Sequence, residues 1–259
     1  NLVSNEQNIN NIDIPPFDKK KKLALPTETE GIGNVNITGT MTGKFDDFYS
    51  KLTIQTTQGE ISIEARYWNQ NNTDYLKGTV AANQLNLGTF AKNEDLAHVD
   101  ANLETDLEWN SKSGIKINAK GELPKLAFKG HTYKNIELDG TFTEKSFDGK
   151  ASIKDLYGEV DFLGSINFET EVPEFDFSSK VVKMNLSKLN ILTDSNEHIV
   201  TGIISLKGQG NSIDNSTGIA KINNLEYQQN EKTYRNKEIT ITSTDKDSIR
   251  NLSIFSDVV

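Results

Sequence analysis

Three histidines, a glycine-rich run and a pair of close carboxylates are the residues whose types could do chemistry. His98, His131 and His198 lie far apart, and none sits in a His-x-x-x-His or Glu-x-x-His spacing that would aim two ligands at one metal ion. Gly208-Gln-Gly-Asn-Ser212 has the glycines of a phosphate loop but no Lys-Ser/Thr and no helix after it, so it reads as a strand-connecting turn. Asp245-Lys-Asp247 has the start of a calcium loop without the rest, and reads as a solvated hairpin turn. No Gly-x-Ser-x-Gly elbow occurs, and with no cysteine there is neither a thiolate metal site nor a thiol nucleophile. Lys19 to Lys22 could touch anionic head groups, but no apolar helix adjoins them, and a solvated lead-in is the simpler reading. No enzyme, no metal site and no cofactor is expected.

The elements that would position any site are strands. Leu52 and Ile54, Ile61 and Ile63, and Ile115 and Ile117 alternate with polar residues. So do Ile136 and Leu138, Phe175 and Phe177, Met184 and Leu186, and Ile239 and Ile241. A period of two marks strands with one dry and one wet face. Asn, Asp and Gly clusters recur about every dozen residues, as at Gln58-Gly59, Asn69 to Thr73 and Asp148-Gly149, and suit tight hairpins. The expectation is an all-β, elongated and curled antiparallel meander of about 18–20 strands with few or no helices, at ~4.8 Å per strand. Short helical turns are expected only at 44–49 and 88–97. Residues 1–32, with Pro15-Pro16 and Pro26, read as an extended lead-in.

The 259 residues carry a net charge of −9, which argues against nucleic acid as a partner. At 35% apolar residues the chain has side chains for one thin layer and not for a thick core. No run of 18 apolar residues exists, so no spanning helix is expected. The chain starts at Asn1 without a signal peptide pattern, and we expect a piece of a longer protein.

The sequence repeats at a spacing near 101 residues. Asn34-Val-Asn-Ile-Thr-Gly-Thr-Met-Thr42 aligns with Asn135-Ile-Glu-Leu-Asp-Gly-Thr-Phe-Thr143 and with Asn236-Lys-Glu-Ile-Thr-Ile-Thr-Ser-Thr244. With a two-residue slip, Phe48, Ile54 and Gly59-Glu60 match Phe147, Ile153 and Gly158-Glu159, while Val80 and Leu85 fall on Val181 and Leu186. This divides 33–259 into repeats at 33–132 and 133–233 and a partial one at 234–259. Repetition favours units that bury their faces only against neighbours.

A meander with one apolar face must hide it, as a sandwich core, a closed barrel or a trough. Alternation alone favours a packed sandwich core over an open groove. The groove's lining residues would be Ile37, Leu52, Ile54, Ile61, Ile63, Val80, Ile115 and Ile117, then Leu138, Phe142, Ile153, Val160, Phe162, Ile166 and Phe168. They continue as Phe175, Phe177, Met184, Leu186, Ile204, Leu206, Ile239 and Ile241.

Leu23-Ala-Leu-Pro26, the run from Asn34 to Thr42, Leu85-Asn-Leu-Gly88 and the run from Tyr133 to Gly140 together resemble the TamB-like proteins of Gram-negative bacteria, in particular their Bacteroidetes branch. Val172-Pro-Glu-Phe-Asp-Phe177, Leu186-Ser-Lys-Leu-Asn190, Asn224-Leu-Glu-Tyr227 and Leu252-Ser-Ile-Phe-Ser-Asp257 are similar to the wider AsmA/TamB superfamily. The resemblance covers most of 23–259. It implies a β-taco, a U-shaped sheet with an apolar interior that shields phospholipid acyl chains in the periplasm, and so reverses the order of sandwich core and open groove. It implies inner-membrane attachment through an anchor outside this chain and, in some members, an outer-membrane barrel partner. The alternatives from other classes are an outer-membrane protein assembly factor acting through its sheet edges and a structural β-repeat.

Overall fold

The computed structural model describes residues 33–212, 215–246 and 249–258; the lead-in at 1–32 lies outside them. The all-β antiparallel meander expected from the alternation is what the chain forms. It divides into two compact units, one ending at Phe128 and the other starting at Lys129.

The first unit holds β1 (Asn36–Lys44), β2 (Asp47–Thr56), β3 (Gly59–Gln70), β4 (Thr73–Asn86), a short helix α1 (Leu87–Ala91), β5 (Leu96–Asn110) and β6 (Gly114–Phe128). Each strand pairs antiparallel with the next in sequence. The second unit holds β7 (His131–Thr143), β8 (Ser146–Asp155), β9 (Gly158–Asn167), β10 (Glu174–Asn185), β11 (His198–Gln209), β12 (Thr217–Gln229), β13 (Lys232–Lys246) and β14 (Ile249–Val258). It obeys the same nearest-neighbour rule. Among the described residues, fourteen strands of 9 to 15 residues replace the expected 18–20 shorter ones. The helical turn expected at 44–49 is a hairpin, because Phe45-Asp46 is a two-residue turn between β1 and β2. The one expected at 88–97 contracts to α1.

Register puts the two kinds of residue on opposite faces. Ile37 pairs with Ile54, Ile54 with Ile61 and Ile61 with Ala82, so one face of unit 1 is apolar. The other face carries Lys51, Glu64, Arg66, Asp47, Lys77 and Asp106. There Lys51–Glu64, Arg66–Asp47 and Lys77–Asp106 form ion pairs at 3.0, 2.7 and 2.8 Å. These pairs are exposed and each contributes little, so the charged face serves solubility more than stability.

The two units share local architecture at a spacing of 99 residues, the slipped register of the sequence alignment. Gln84 in β4 and Lys183 in β10 both form bulges, with φ of 49° and 47°. The backbone N–H of Asn86 donates to Gln58 O at 2.6 Å, and that of Asn185 to Tyr157 O at 2.7 Å. This register places Ala82 opposite Val181 and Leu85 opposite Met184. The alignment of Val80 with Val181 and of Leu85 with Leu186 is therefore corrected by the bulge, which each copy inserts at the same point.

Connections alternate between the two ends of the strands, and within each unit the ends differ. At one end of unit 1, α1 leans onto the apolar face, where Leu87 packs against Leu85, Val99 and Ala101. At the matching end of unit 2, residues 186–197 fold over the apolar face and bury Leu189 to 1% exposure, with Tyr133 Oη donating to Leu189 O at 3.3 Å. We call these segments plugs, and the ends they close the plugged lips. Leu189→Ala should cost unit 2 about 2–5 kcal/mol, the range for emptying a filled leucine site, read as a lowered denaturation midpoint.

The plug end of unit 1 also depends on Asp100. Its carboxylate accepts the Gln84 backbone N–H at 2.8 Å and faces Lys125 Nζ at 3.3 Å. The Gln84 N–H, seconded by Lys125, holds the Asp100 carboxyl below the usual carboxylate range. Its contribution is therefore present above the unfolded-state pKa and is lost as pH falls through the lower folded-state value. Amide exchange at Gln84, corrected for intrinsic rate, should accelerate below pH of about 4. Asp100→Asn should accelerate it about tenfold at neutral pH, the size expected for losing one charge-assisted hydrogen bond, and abolish the acid dependence.

Candidate functional site

The candidate site is the apolar face. Of the residues expected to line it, Ile37, Leu52, Ile54, Ile61, Ile63, Val80, Ile115 and Ile117 all stand on the one face of unit 1. In unit 2 the pairs Phe142–Phe147, Ile153–Val160, Ile166–Phe175, Phe177–Leu206 and Ile204–Ile222 bring Leu138, Phe162, Ile239 and Ile241 onto one face as well. Met184 joins it through Val200, after the bulge. Two expected residues stand apart. Phe168 lies past the end of β9 at 51% exposure, with its ring edge-on to Phe175, and Leu186 opens the plug instead of extending β10.

None of these residues is buried; all are half-covered except exposed Phe168. A sandwich core at native packing density would bury most of them. The buried larger side chains include Leu85 and Val99 near the unit 1 plug and Leu189 and Tyr133 near the unit 2 plug, while Ser50, Ala65 and Ala119 are buried mid-sheet on the apolar face of unit 1.

The floor of unit 2 is aromatic. Phe142, Phe147, Phe162 and Phe177 run across four strands, with successive ring centroids 4.7, 5.7 and 5.2 Å apart. Glycines make this possible: Gly140, Gly149 and Gly164 pair in one row, and a Cβ on Gly140 would stand 2.7 Å from the Phe147 ring. The rings lie over side-chain-free backbone, which strings of alternating phenylalanines alone do not disclose.

Of the groups that could do chemistry, His198 and His98 are hydrogen-bonded, while the buried His131 Nε2 approaches Asp155 without a hydrogen bond. His198 is buried in the unit 2 plug, its Nδ1 2.7 Å from Tyr227 Oη and its Nε2 2.8 Å from Asp194 Oδ1. His131 stacks edge-on against Tyr133, 3.2 Å from Asp155, and His98 Nδ1 meets Gln84 O at 3.1 Å. Burial and the Asp74 carboxylate push Tyr67 up to about 12, which keeps it a neutral hydrogen-bond donor. Among the described residues no group of three metal-ligating side chains converges.

Sequence reading missed what breaks the alternation on the polar face of unit 2. Leu163, Ile203, Ile219 and Phe255 point outward among serines, threonines and lysines, at 57%, 37%, 45% and 57% exposure. Two shallow concavities of ≈ 610 and ≈ 520 Å³ lie on that polar face, lined by residues such as Asp176, Lys207 and Thr217 in the first and Leu163, Ser178 and Lys221 in the second. Adjacent apolar residues such as Phe162-Leu163 and Ile203-Ile204 were the available signal.

Comparison with protein-family models, with curated proteins and with solved structures finds no match to this chain.

Proposed function

We propose that the apolar face is a binding wall for phospholipid acyl chains, in a periplasmic lipid-conduit protein of the TamB-like kind. One observation carries the reading: within each unit the expected wall residues, Phe168 and Leu186 apart, share one face and stay half-covered. A wall of aliphatic and phenyl groups offers an alkyl chain contact and almost no hydrogen bond. Each methylene that leaves water there gains about 0.8 kcal/mol, so a tail spanning several strands gains several kcal/mol without being fixed in place. That combination suits holding and passing a lipid more than turning it over chemically. The test is native mass spectrometry with lipid extraction on protein taken gently from cell envelopes. Retained phospholipid supports the wall; protein recovered free of lipid overturns it.

A second reading has one observation in its favour. Among the described residues β14 pairs only with β13, and it exposes Leu252, Ile254 and Phe255 at 55%, 64% and 57%. An open apolar edge of this kind can accept a further strand, as an assembly factor for outer-membrane proteins would require. Crosslinks from β14 to client strands in a lipid-free protein would favour it.

A further inference from the structure

We infer that a bound lipid enters each unit at the lip opposite the plug and keeps its head group there, and that at the lip of unit 2 this head group is zwitterionic. The inference rests on the acyl-wall reading above and adds a direction and a head-group class to it.

The direction follows from how each unit treats its two ends. In unit 1 the plugged lip is covered over β5 by α1, which Asn86 and Thr89 tie to Gln58 Oε1 at 3.0 and 3.3 Å. The opposite lip has only tight turns at 45–46, 71–72 and 111–113, all exposed but none folded over the apolar face. Trp109 stands at that lip on the apolar face, paired with Ile115, and is 47% exposed. Unit 2 repeats the scheme. Its plug spans 186–197, while among the described residues of the opposite lip the turn at 144–145 and the connection at 168–173 bury no residue. A tail can lie on the wall only if its polar end leaves through a side that is not blocked by packed leucines. The turn lip also supplies what an interfacial region needs, an indole ring beside backbone and amide groups, as Trp109 stands beside Asn110. The Asn110 amide donates to Asn72 O and Thr73 Oγ1 at 3.0 Å each.

The head-group class follows from charge. The turn lip of unit 2 carries Glu169, Glu171 and Glu174, with Lys145 on the neighbouring turn. A head group of net negative charge meets repulsion at that rim, whereas one that carries an ammonium group beside its phosphate meets partners for the ammonium.

The chain's two tryptophans provide the test. Trp68 lies on the polar face, stacked on Tyr75 at 5.0 Å, and Trp109 lies on the wall. Full-length protein carrying W68F or W109F is loaded from vesicles of phosphatidylcholine or phosphatidylglycerol, brominated either near the head-group end of the tail or near its terminal methyl. Bound lipid is counted by mass spectrometry in every sample. The expected result is that near-head bromine quenches Trp109 at least twofold more than terminal bromine does, that Trp68 is unaffected, and that phosphatidylcholine loads severalfold more than phosphatidylglycerol. A reporter at the plugged lip, Phe90→Trp in a protein lacking both native tryptophans, should be insensitive to near-head bromine. Lipid bound with Trp109 unquenched, or with the Phe90→Trp reporter quenched by near-head bromine, overturns the direction and leaves the wall standing. Equal loading of the two head groups overturns the zwitterionic assignment. Protein that takes up no lipid overturns this inference together with the reading beneath it.

Discussion

Phe177→Lys in unit 2 and Ile54→Asp in unit 1 are each expected to cut co-purifying phospholipid by tenfold or more. Phe177 closes the aromatic floor, 5.2 Å from Phe162, and Ile54 pairs with Ile37 and Ile61 in the middle of the wall. A charge at either place keeps its hydration only if no alkyl chain covers it. A tail that covers it forces desolvation costing several kcal/mol, and ~1.4 kcal/mol already makes a tenfold change in binding. The controls are one residue along on the opposite face, Ser178→Lys and Thr53→Asp, where a new charge meets water and other charges. They should hold lipid within about twofold of the parent. Far-UV circular dichroism keeps the comparison fair, and Phe177→Leu, which retains an apolar surface, should retain most of the lipid. Wall variants that fold and bind lipid like the parent would remove the acyl-wall reading.

Gly164→Val is expected to have the largest effect on folding, about 3 kcal/mol or more on unit 2. Gly164 lies mid-strand in β9 with φ of +136°, and a Cβ there would stand 2.2 Å from Asp176 O and 2.5 Å from Phe177 Cα. Valine suits a strand in general, so propensity alone forecasts a gain. Backbone clash and a left-handed φ forecast a large loss, and magnitude decides for the loss. Ser178→Val, on the exposed face of the adjacent strand, should shift stability by no more than about 0.5 kcal/mol. Denaturant melts of the two variants separate the forecasts, and a valine tolerated at 164 would mean that the close approach of β9 and β10 relaxes easily.

The dry and wet faces were readable where the chain keeps a strand's period of two: Ile61 and Ile63, or Phe175 and Phe177, had to share one face. The bulges were not readable. Gln84 and Lys183 hold positive φ, yet neither residue type favours that region, and only the hydrogen bonds of Asp100 and Thr201 to their N–H groups explain them. The plugs were missed for a related reason. Met184 and Leu186 look like a continuing strand, and what turns the chain is the Asn185 side chain, which accepts from Lys188 N–H and donates to Glu197. The aromatic floor was half legible: Phe142, Phe162 and Phe177 are expected lining residues, but Phe147 is not among them, and the glycine row beneath depends on register, which one sequence does not state.

Strand order within each unit has a further consequence. Among the described residues, every strand within a unit pairs only with the strands before and after it. Loop-closure entropy is then that of a hairpin at each step, so a strand can dock as soon as its neighbour is in place. A chain emerging from a ribosome or a translocation pore can fold in the order in which it appears. Under tension along its termini the same arrangement should yield strand by strand, as a series of small force steps instead of one large rupture.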